Sequence, residues 1–308
     1  MTDRLSKKAS RTRLQHFTIL GGAFLCMVIL FSSCDNFLDD SGTREQILKR
    51  FEYQKSPLYT ILVSDTDSSG VVNTPAGGQT RKKVTDAFTV SFSPQKEYDF
   101  LYWTIIDDTT KQDSQNGEYL LLSSLTDPET ECTFLKAPEP GMSLKLVPIM
   151  AERPSVDRKS PVYVSAGVEK TSDIIVTFTR PMNPLSIYYT QDEITQLTEQ
   201  YELLDTDFLS ADNYQTQTKY YGYQKDGNIV FKNIQITNYR DSTNLLEFFN
   251  APYFESASVL KISPKSTLPG GNMVFVILDK NFNYIEQINN DTKAVCMCKS
   301  FSWQYFVK

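Results

Sequence analysis

From Pro57 to the C-terminus, apolar residues recur with a period of two and are interrupted at short intervals by turn formers. A chain with that pattern cannot bury its apolar side as helices; it must pair strands and cover one face of each sheet. Tyr59-Thr60-Ile61-Leu62-Val63 reads as a strand, and Phe88-Thr89-Val90-Ser91-Phe92 alternates apolar and hydroxyl residues. Tyr98 to Ile106, Tyr119 to Leu122, Cys132 to Leu135 and Ser143 to Val147 follow. Turn residues stand between them at Pro75-Ala76-Gly77-Gly78, Ser93-Pro94, Asn116-Gly117, Asp127-Pro128 and Pro138-Glu139-Pro140-Gly141.

The pattern predicts an all-β chain in two parts. Ala151 to Ser160 is polar, contains Pro154 and is the best linker, so a small β module is expected over 57–150 and a second domain over 151–308. Ser160-Pro161-Val162-Tyr163-Val164 opens the second part, and Ile174 to Phe178 is its clearest strand. Tyr220-Tyr221-Gly222-Tyr223, an Asp226-Gly227 turn and Ile229-Val230-Phe231 form a hairpin signal. Val230, Ile234 and Ile236 are expected on one face. With Val259 to Ile262, Met273 to Leu278 and Phe301 to Val307, the second part has about seven strands, the number of a β-sandwich. One helix is inserted: Ile194, Leu197, Tyr201 and Leu204 make an apolar stripe over Gln191 to Leu204, expected to pack on the sandwich.

The first 56 residues obey other rules. Residues 1–16 carry Arg4, Lys7, Lys8, Arg11 and Arg13 against Asp3, and Phe17 to Phe31 has no charge. Ser32 and Ser33 then precede Cys34. A basic start, an apolar stretch too short for the roughly 20 residues of a spanning helix and a small-residue end mark an export signal. The order Leu30-Phe31-Ser32-Ser33-Cys34 resembles a bacterial lipoprotein signal peptide, with Phe31 where leucine is commonest. The resemblance implies removal of residues 1–33, acylation of Cys34, and attachment to a membrane of the cell envelope. Asp35-Asn36-Phe37-Leu38-Asp39-Asp40 is either a sorting signal or an acidic tether. Residues 34–56 read as a tether with one short helix, Thr43 as N-cap, Gln46 reaching back, and Ile47, Leu48 and Phe51 on its apolar side.

Charge and histidine content narrow the function. The chain holds 31 basic and 37 acidic residues; without residues 1–33 it holds 26 and 36, a net charge near −10. No basic block follows Arg81-Lys82-Lys83, which disfavours nucleic acid as a partner. The single histidine, His16, lies in the leader, so serine and cysteine triads and histidine-ligated zinc are not expected in the mature chain. Carboxylate chemistry survives that argument, but no motif supports it. No enzyme activity, cofactor or metal is expected.

Two segments resemble known families. Gly70, Pro75, Gly77, Phe88, Val90, Phe92, Pro94, Tyr98, Phe100, Trp103 and Asp107 form a glycine-rich turn, an alternating strand, proline, aromatic-x-aromatic-x-x-Trp and an acid. That pattern resembles the bacterial repeat family related to the internalin B-repeats, with Glu97-Tyr98 in place of Gly-Tyr, and implies an extracellular spacer or adhesive unit. Ile174 to Asn183, ending Phe178-Thr179-Arg180-Pro181-Met182-Asn183 and followed by Ser186-Ile187, resembles the bacterial Ig-like domain of the S-layer (SbsA) type. Thr179 replaces that family's serine and Asn183 its acid. Read directly, Ile174, Val176 and Phe178 share one face, Pro181 ends ladder pairing, and Met182 fills space beside Phe178.

The remaining candidates are few. Tyr220, Tyr221 and Tyr223 form the densest exposed-looking aromatic group, able to stack on sugars or to pair across strands. Asp107-Asp108 and Asp205 with Asp207 are expected as solvated loop acids, since calcium needs six to eight oxygens. Cys132, Cys296 and Cys298 are odd in number and fit small apolar roles. The expectation is a non-enzymatic envelope lipoprotein that binds, adheres or spaces through β modules, with a glycan or protein ligand. The alternative is a carbohydrate-binding lipoprotein of a polysaccharide uptake system.

Overall fold

The computed structural model describes residues 41–64, 68–202, 207–211, 219–288 and 291–308. The leader, Cys34, the acids after it, Leu204 and Asp205 lie outside the described residues. The chain divides into two compact units, Met1–Tyr59 with Arg81–Asp86, and Thr60–Thr80 with Ala87–Lys308.

In the first unit, α1 spans Ser41–Lys55. The expected N-cap, Thr43, lies inside it, because the helix already begins two residues earlier and a cap must keep non-helical backbone. Arg44, Glu45, Gln46 and Lys49 are good helix formers, and Glu45 pairs with Lys49 at 2.8 Å one turn on.

Nine strands come next along the chain: β1 (Tyr59–Val63), β2 (Gly70–Thr74), β3 (Gln79–Lys82), β4 (Ala87–Pro94), β5 (Tyr98–Asp107), β6 (Gln112–Ser114), β7 (Leu120–Leu122), β8 (Glu129–Phe134) and β9 (Leu144–Glu152). They form one sheet ordered β3-β1-β9-β5-β6, where β1 runs parallel to β9, and another ordered β2-β4-β8-β7. Phe92 of β4 meets Phe100 and Trp103 of β5 at ring-centroid distances of 6.5 and 6.3 Å, closing the two sheets over one core. Gly70 sits where a Cβ would lie 2.2 Å from the Phe92 ring, so glycine is required there by close approach. The sequence pattern missed β2 and β3, because β2 is largely exposed and β3, Gln79–Lys82, has no apolar residue to carry the alternation.

Twelve strands follow, more than the seven expected: β10 (Val156–Ser160), β11 (Ile174–Phe178), β12 (Phe208–Ala211), β13 (Lys219–Lys225), β14 (Asn228–Phe231), β15 (Ile234–Asn238), β16 (Tyr253–Ser256), β17 (Val259–Ile262), β18 (Met273–Leu278), β19 (Asn283–Ile288), β20 (Asp291–Cys296) and β21 (Phe301–Phe306). The extra ones include polar edge and hairpin strands such as β10 and β20, which carry no alternating apolar signal. One sheet is ordered β10-β11-β17-β16, a second β12-β13-β14-β15-β18-β21, and among the described residues β19 pairs only with β20. The core between the two larger sheets contains Ile174, Val176, Phe178, Met182, Ile187, Trp303 and Tyr305. The inward alternation of β11 and the seat of Met182 beside Phe178 are as the residues predicted.

Three local expectations are corrected. The linker of 151–160 is mostly strand, leaving only Arg153-Pro154-Ser155 between β9 and β10. Val162, Tyr163 and Val164 form an exposed turn tied to β21 by Val164 N donating to Gln304 O at 2.8 Å. Val230 does not share a face with Ile234 and Ile236: the tight turn through Asn233, with φ of 60°, resets the alternation, so Phe231 and Ile234 are partners in the main core. Asp226 and Gly227, both at positive φ, make the predicted hairpin turn.

The inserted helix, α2, spans Gln191–Tyr201. Glu193 N donates to Thr190 Oγ1 at 3.3 Å and Thr190 N to Glu193 Oε2 at 2.8 Å, a reciprocal capping box. Ile194 and Leu197 pack with Phe208 and Tyr223, so the stripe faces the sandwich.

Gly70→Ala is expected to destabilise the protein by about 1–3 kcal/mol through overpacking against Phe92. Urea unfolding with an unchanged midpoint would show that the ring gives way freely.

Candidate functional site

The feature that most distinguishes this chain is a contact, inside one compact unit, between the sheets of β1–β9, called the first module below, and a hairpin of β10–β21, the second. It begins with a defect in strand pairing. Phe100 of β5 stands opposite Met150 of β9, yet Tyr102 stands opposite Ile149, so Leu101 is an extra residue, a β-bulge. In an unbroken strand, Phe100 and Trp103 would point to opposite faces. The bulge returns both to the core, 5.5 Å apart, and turns Leu101 to the outer face.

That outer face is covered by the β19–β20 hairpin. Leu101 and Ala151 of the first module pack with Tyr284, Ile288 and Val295 of the hairpin, and all five are buried. Tyr284 and Val295 are direct cross-strand partners. A polar frame surrounds the patch. Arg153 donates to Tyr98 O at 3.0 Å through Nε and to Cys296 O at 3.1 Å through Nη1, and its Nη2 pairs with Asp99 at 3.1 Å. Lys293 Nζ donates to Phe100 O. Tyr284 OH donates to Glu152 O at 3.1 Å, while Arg180 pairs with Glu152 at 2.9 Å and lies over the Tyr284 ring. Burial pushes the Tyr284 hydroxyl up to about 12, which keeps it a donor at neutral pH.

The base of the hairpin is held by the Pro181-Met182-Asn183 segment. Asn183 N donates to Asn283 O at 2.8 Å and Asn183 Nδ2 to Asn283 Oδ1 at 3.1 Å. Ser186 Oγ donates to Asn283 O at 3.2 Å, and Asn283 N lies 3.1 Å from the same hydroxyl. Asn183 Oδ1 also accepts from Leu185 N at 3.1 Å, capping the short 3-10 turn Pro184–Ser186. An amide can donate to one partner and accept from the other at once, which a carboxylate cannot do.

The other sequence candidates resolve differently. Tyr220 and Tyr223 pack with Phe208 and Ile194, while Tyr221 sets its ring edge-on against Phe231 of the main core at 5.2 Å. The three rings therefore share no exposed face, and Tyr223 is buried. The cause is a β-bulge: Leu209 stands opposite Gly222 and Ser210 opposite Tyr220, so Tyr221 is an extra residue that turns to the other side, next to Gly222, where a Cβ would meet Val230 O at 2.3 Å. Asp107 is not a solvated acid: it is buried and accepts from Thr109 N and Ser143 N at 3.0 Å and from Thr110 Oγ1 at 2.8 Å. These bonds, the one from Ser143 foremost, hold its carboxyl down at about 2. Asp108 is the partly exposed acid of the pair, bridged to Lys111 at 2.6 Å. Asp207 is described, but Asp205 is not, so that pair stays outside the described residues.

Cys132, Cys296 and Cys298 are free thiols, and burial pushes Cys132 up to about 12. Among the described residues no group of three or more His, Cys, Asp or Glu is placed to hold a metal ion, and no helix is long and apolar enough to cross a membrane.

No family model matches the chain and no curated protein is a significant match, so the likeness of Gly70 to Asp107 to internalin-type repeats gains no support there. Solved structures that it is similar to include the I67–I69 I-band fragment of titin, at 10% identity and a TM-score of 0.21 over 82% of this chain. The chain spans 65% of that fragment, under two thirds of its length. A titin A168169 structure matches at 5% identity and a TM-score of 0.22, with 82% of this chain and 97% of that one covered. Domains 5–6 of the S-layer protein SbsC match at 9% identity and a TM-score of 0.15, with 82% and 97% covered. The assignment of an all-β, sandwich-built chain stands on the strands and sheets described above.

Two outcomes follow from the geometry. Leu101→Ala is expected to cost about 2–5 kcal/mol and to split unfolding into two transitions, read by urea titration with circular dichroism; a single, unshifted transition would count against coupling. Asp107 stabilises its loop fully above the ordinary carboxylate value of about 3.9, and the contribution is lost as pH falls to about 2. The amide shifts of Thr109 and Ser143 should titrate with the lower midpoint by NMR.

Proposed function

We propose that this chain is a non-enzymatic lipoprotein of the bacterial cell envelope, acylated at Cys34, whose two β modules form a coupled spacer that carries a binding surface away from the membrane. The observation that carries the spacer reading is the hairpin contact. Two modules joined only by Arg153-Pro154-Ser155 would hinge freely, but the buried patch around Leu101 and Val295 and the Arg153 frame oppose that motion. Such coupling suits transmission of position or load and serves no catalytic step. The location rests on the leader and Cys34 in the sequence. The all-β architecture and the S-layer-like Pro181-Met182-Asn183 segment are compatible with it. A sugar platform at Tyr220, Tyr221 and Tyr223 is disfavoured by their packing.

The test of location is Cys34→Ala in the native host. The variant should lose incorporation of labelled palmitate and leave the membrane fraction; retention of both would end the lipoprotein reading. For the spacer reading, small-angle scattering of the detergent-solubilised protein should give one maximum dimension, which broadens in Leu101→Ala. Identical curves would end it.

A further inference from the structure

We infer that one half of the outer face of the six-stranded sheet is a self-association surface, on which a second copy of this chain stacks with β18 over β18. Every residue involved lies in the second module, and acylation at Cys34 plays no part.

The sheet ordered β12-β13-β14-β15-β18-β21 turns Ile236, Val274, Val276, Trp303 and Tyr305 into the main core. Its opposite face is treated in two ways. Over β12, β13 and β14, Ile194 and Leu197 of α2 pack with Phe208, Tyr223 and Val230. Over β15, β18 and β21 the same face keeps contact with solvent. Tyr239 is 54% exposed, Gln235 and Ser302 are exposed, and Met273, Phe275, Ile277 and Phe306 are half-buried. The Tyr239 ring stands edge-on to Phe275 at 5.6 Å, which places it on this face. β18 is thus apolar on both sides, reading Met273-Val274-Phe275-Val276-Ile277-Leu278. An antiparallel strand with one side in water alternates apolar with polar residues, whereas an unbroken apolar run belongs to a strand covered on both sides.

The pattern of the face selects the occupant. Gln235, Ile277 and Ser302 form one cross-strand row, and Thr237, Phe275 and Gln304 the next. Tyr239 N donates to Met273 O at 2.7 Å and Met273 stands opposite Phe306, which makes the third. About a two-fold axis parallel to β18, each row meets its own copy in reverse order. Gln235 then faces Ser302, Thr237 faces Gln304, Tyr239 faces Phe306, and each β18 residue faces itself. Amides meet hydroxyls, rings meet rings and the apolar strip meets an apolar strip, the self-complementarity that an isologous interface demands. None of these residues is charged, in a chain with 31 basic and 37 acidic residues and a net charge of −6. Two like-charged copies therefore meet here without opposing ions of one sign. Aligned sheets stacked about 10 Å apart are an ordinary packing. Edge-to-edge pairing at β21 is obstructed: Val164 N donates to Gln304 O and Phe306 N to Ser165 O, both at 2.8 Å, so the 164–165 segment occupies that edge. A face this small, well under the roughly 20–30 residues a side of a standard interface, makes the association weak and concentration-dependent.

The test is sedimentation equilibrium of the full-length protein from its host in a density-matched nonionic detergent. The protein mass should rise from one chain toward two between about 1 μM and about 1 mM, the range open to a small interface. Thr237→Glu combined with Gln304→Glu sets carboxylate against carboxylate twice across the axis and should weaken association by about tenfold or more. Thr237→Glu combined with Gln304→Lys sets opposite charges at the same points and should retain it. A mass of one chain at every concentration overturns the inference, and so does association that both double variants leave equal. Neither result bears on acylation at Cys34, which the palmitate experiment decides separately.

Discussion

The second unit depends on one irregularity, the extra residue at Leu101. Without it, the aromatic core of the first module and the contact between modules would compete for the same strand. A regular strand can send Phe100 or Trp103 inward, not both, and the residue between them on the outer face would be Leu101 in the first case and Tyr102 in the second, so Leu101 would face outward only at the cost of Trp103. The bulge satisfies the inner core, where Phe92, Phe100 and Trp103 meet, and at the same point supplies Leu101 to the hairpin. Packing inside one module and adhesion between the two are therefore linked through a single backbone register.

The hairpin is an arm that leaves its own sandwich, which raises the question of what aims it. Among the described residues β19 and β20 pair only with each other, so neither sheet of the second module fixes their direction. Direction comes from the two ends. At the base, Asn183 and Ser186 grip Asn283. Further out, Arg153 and Lys293 fasten the arm to backbone carbonyls of Phe100, Tyr98 and Cys296 and to Asp99. Arginine suits the corner because its planar fork serves several acceptors at once without losing charge. The apolar patch supplies most of the adhesion, since partly exposed ion pairs of this kind contribute little by themselves.

The sequence made the all-β class legible because the buried strands alternate cleanly: Ile174, Val176 and Phe178 point inward, as do the alternate residues of β18. Strands such as β10 and β20 were illegible because their partners, not their own apolar residues, hold them in place. The tyrosines looked exposed because a linear reading cannot see that a bulge at Tyr221 turns Tyr220 and Tyr223 into one cluster and Tyr221 into another. The site had one readable sign. Phe100-x-x-Trp103 breaks the period of two inside an otherwise regular strand, and two large aromatics three apart cannot share a face without an added residue. What no local pattern discloses is the partner: Leu101 and Val295 are far apart in sequence, and only the folded register brings them together.

Charge is unevenly divided along the chain. The chain from Cys34 onward carries a net charge near −10, yet α1 holds Arg44, Lys49, Arg50 and Lys55 against Glu45 and Glu52. Helix and body thus have opposite signs.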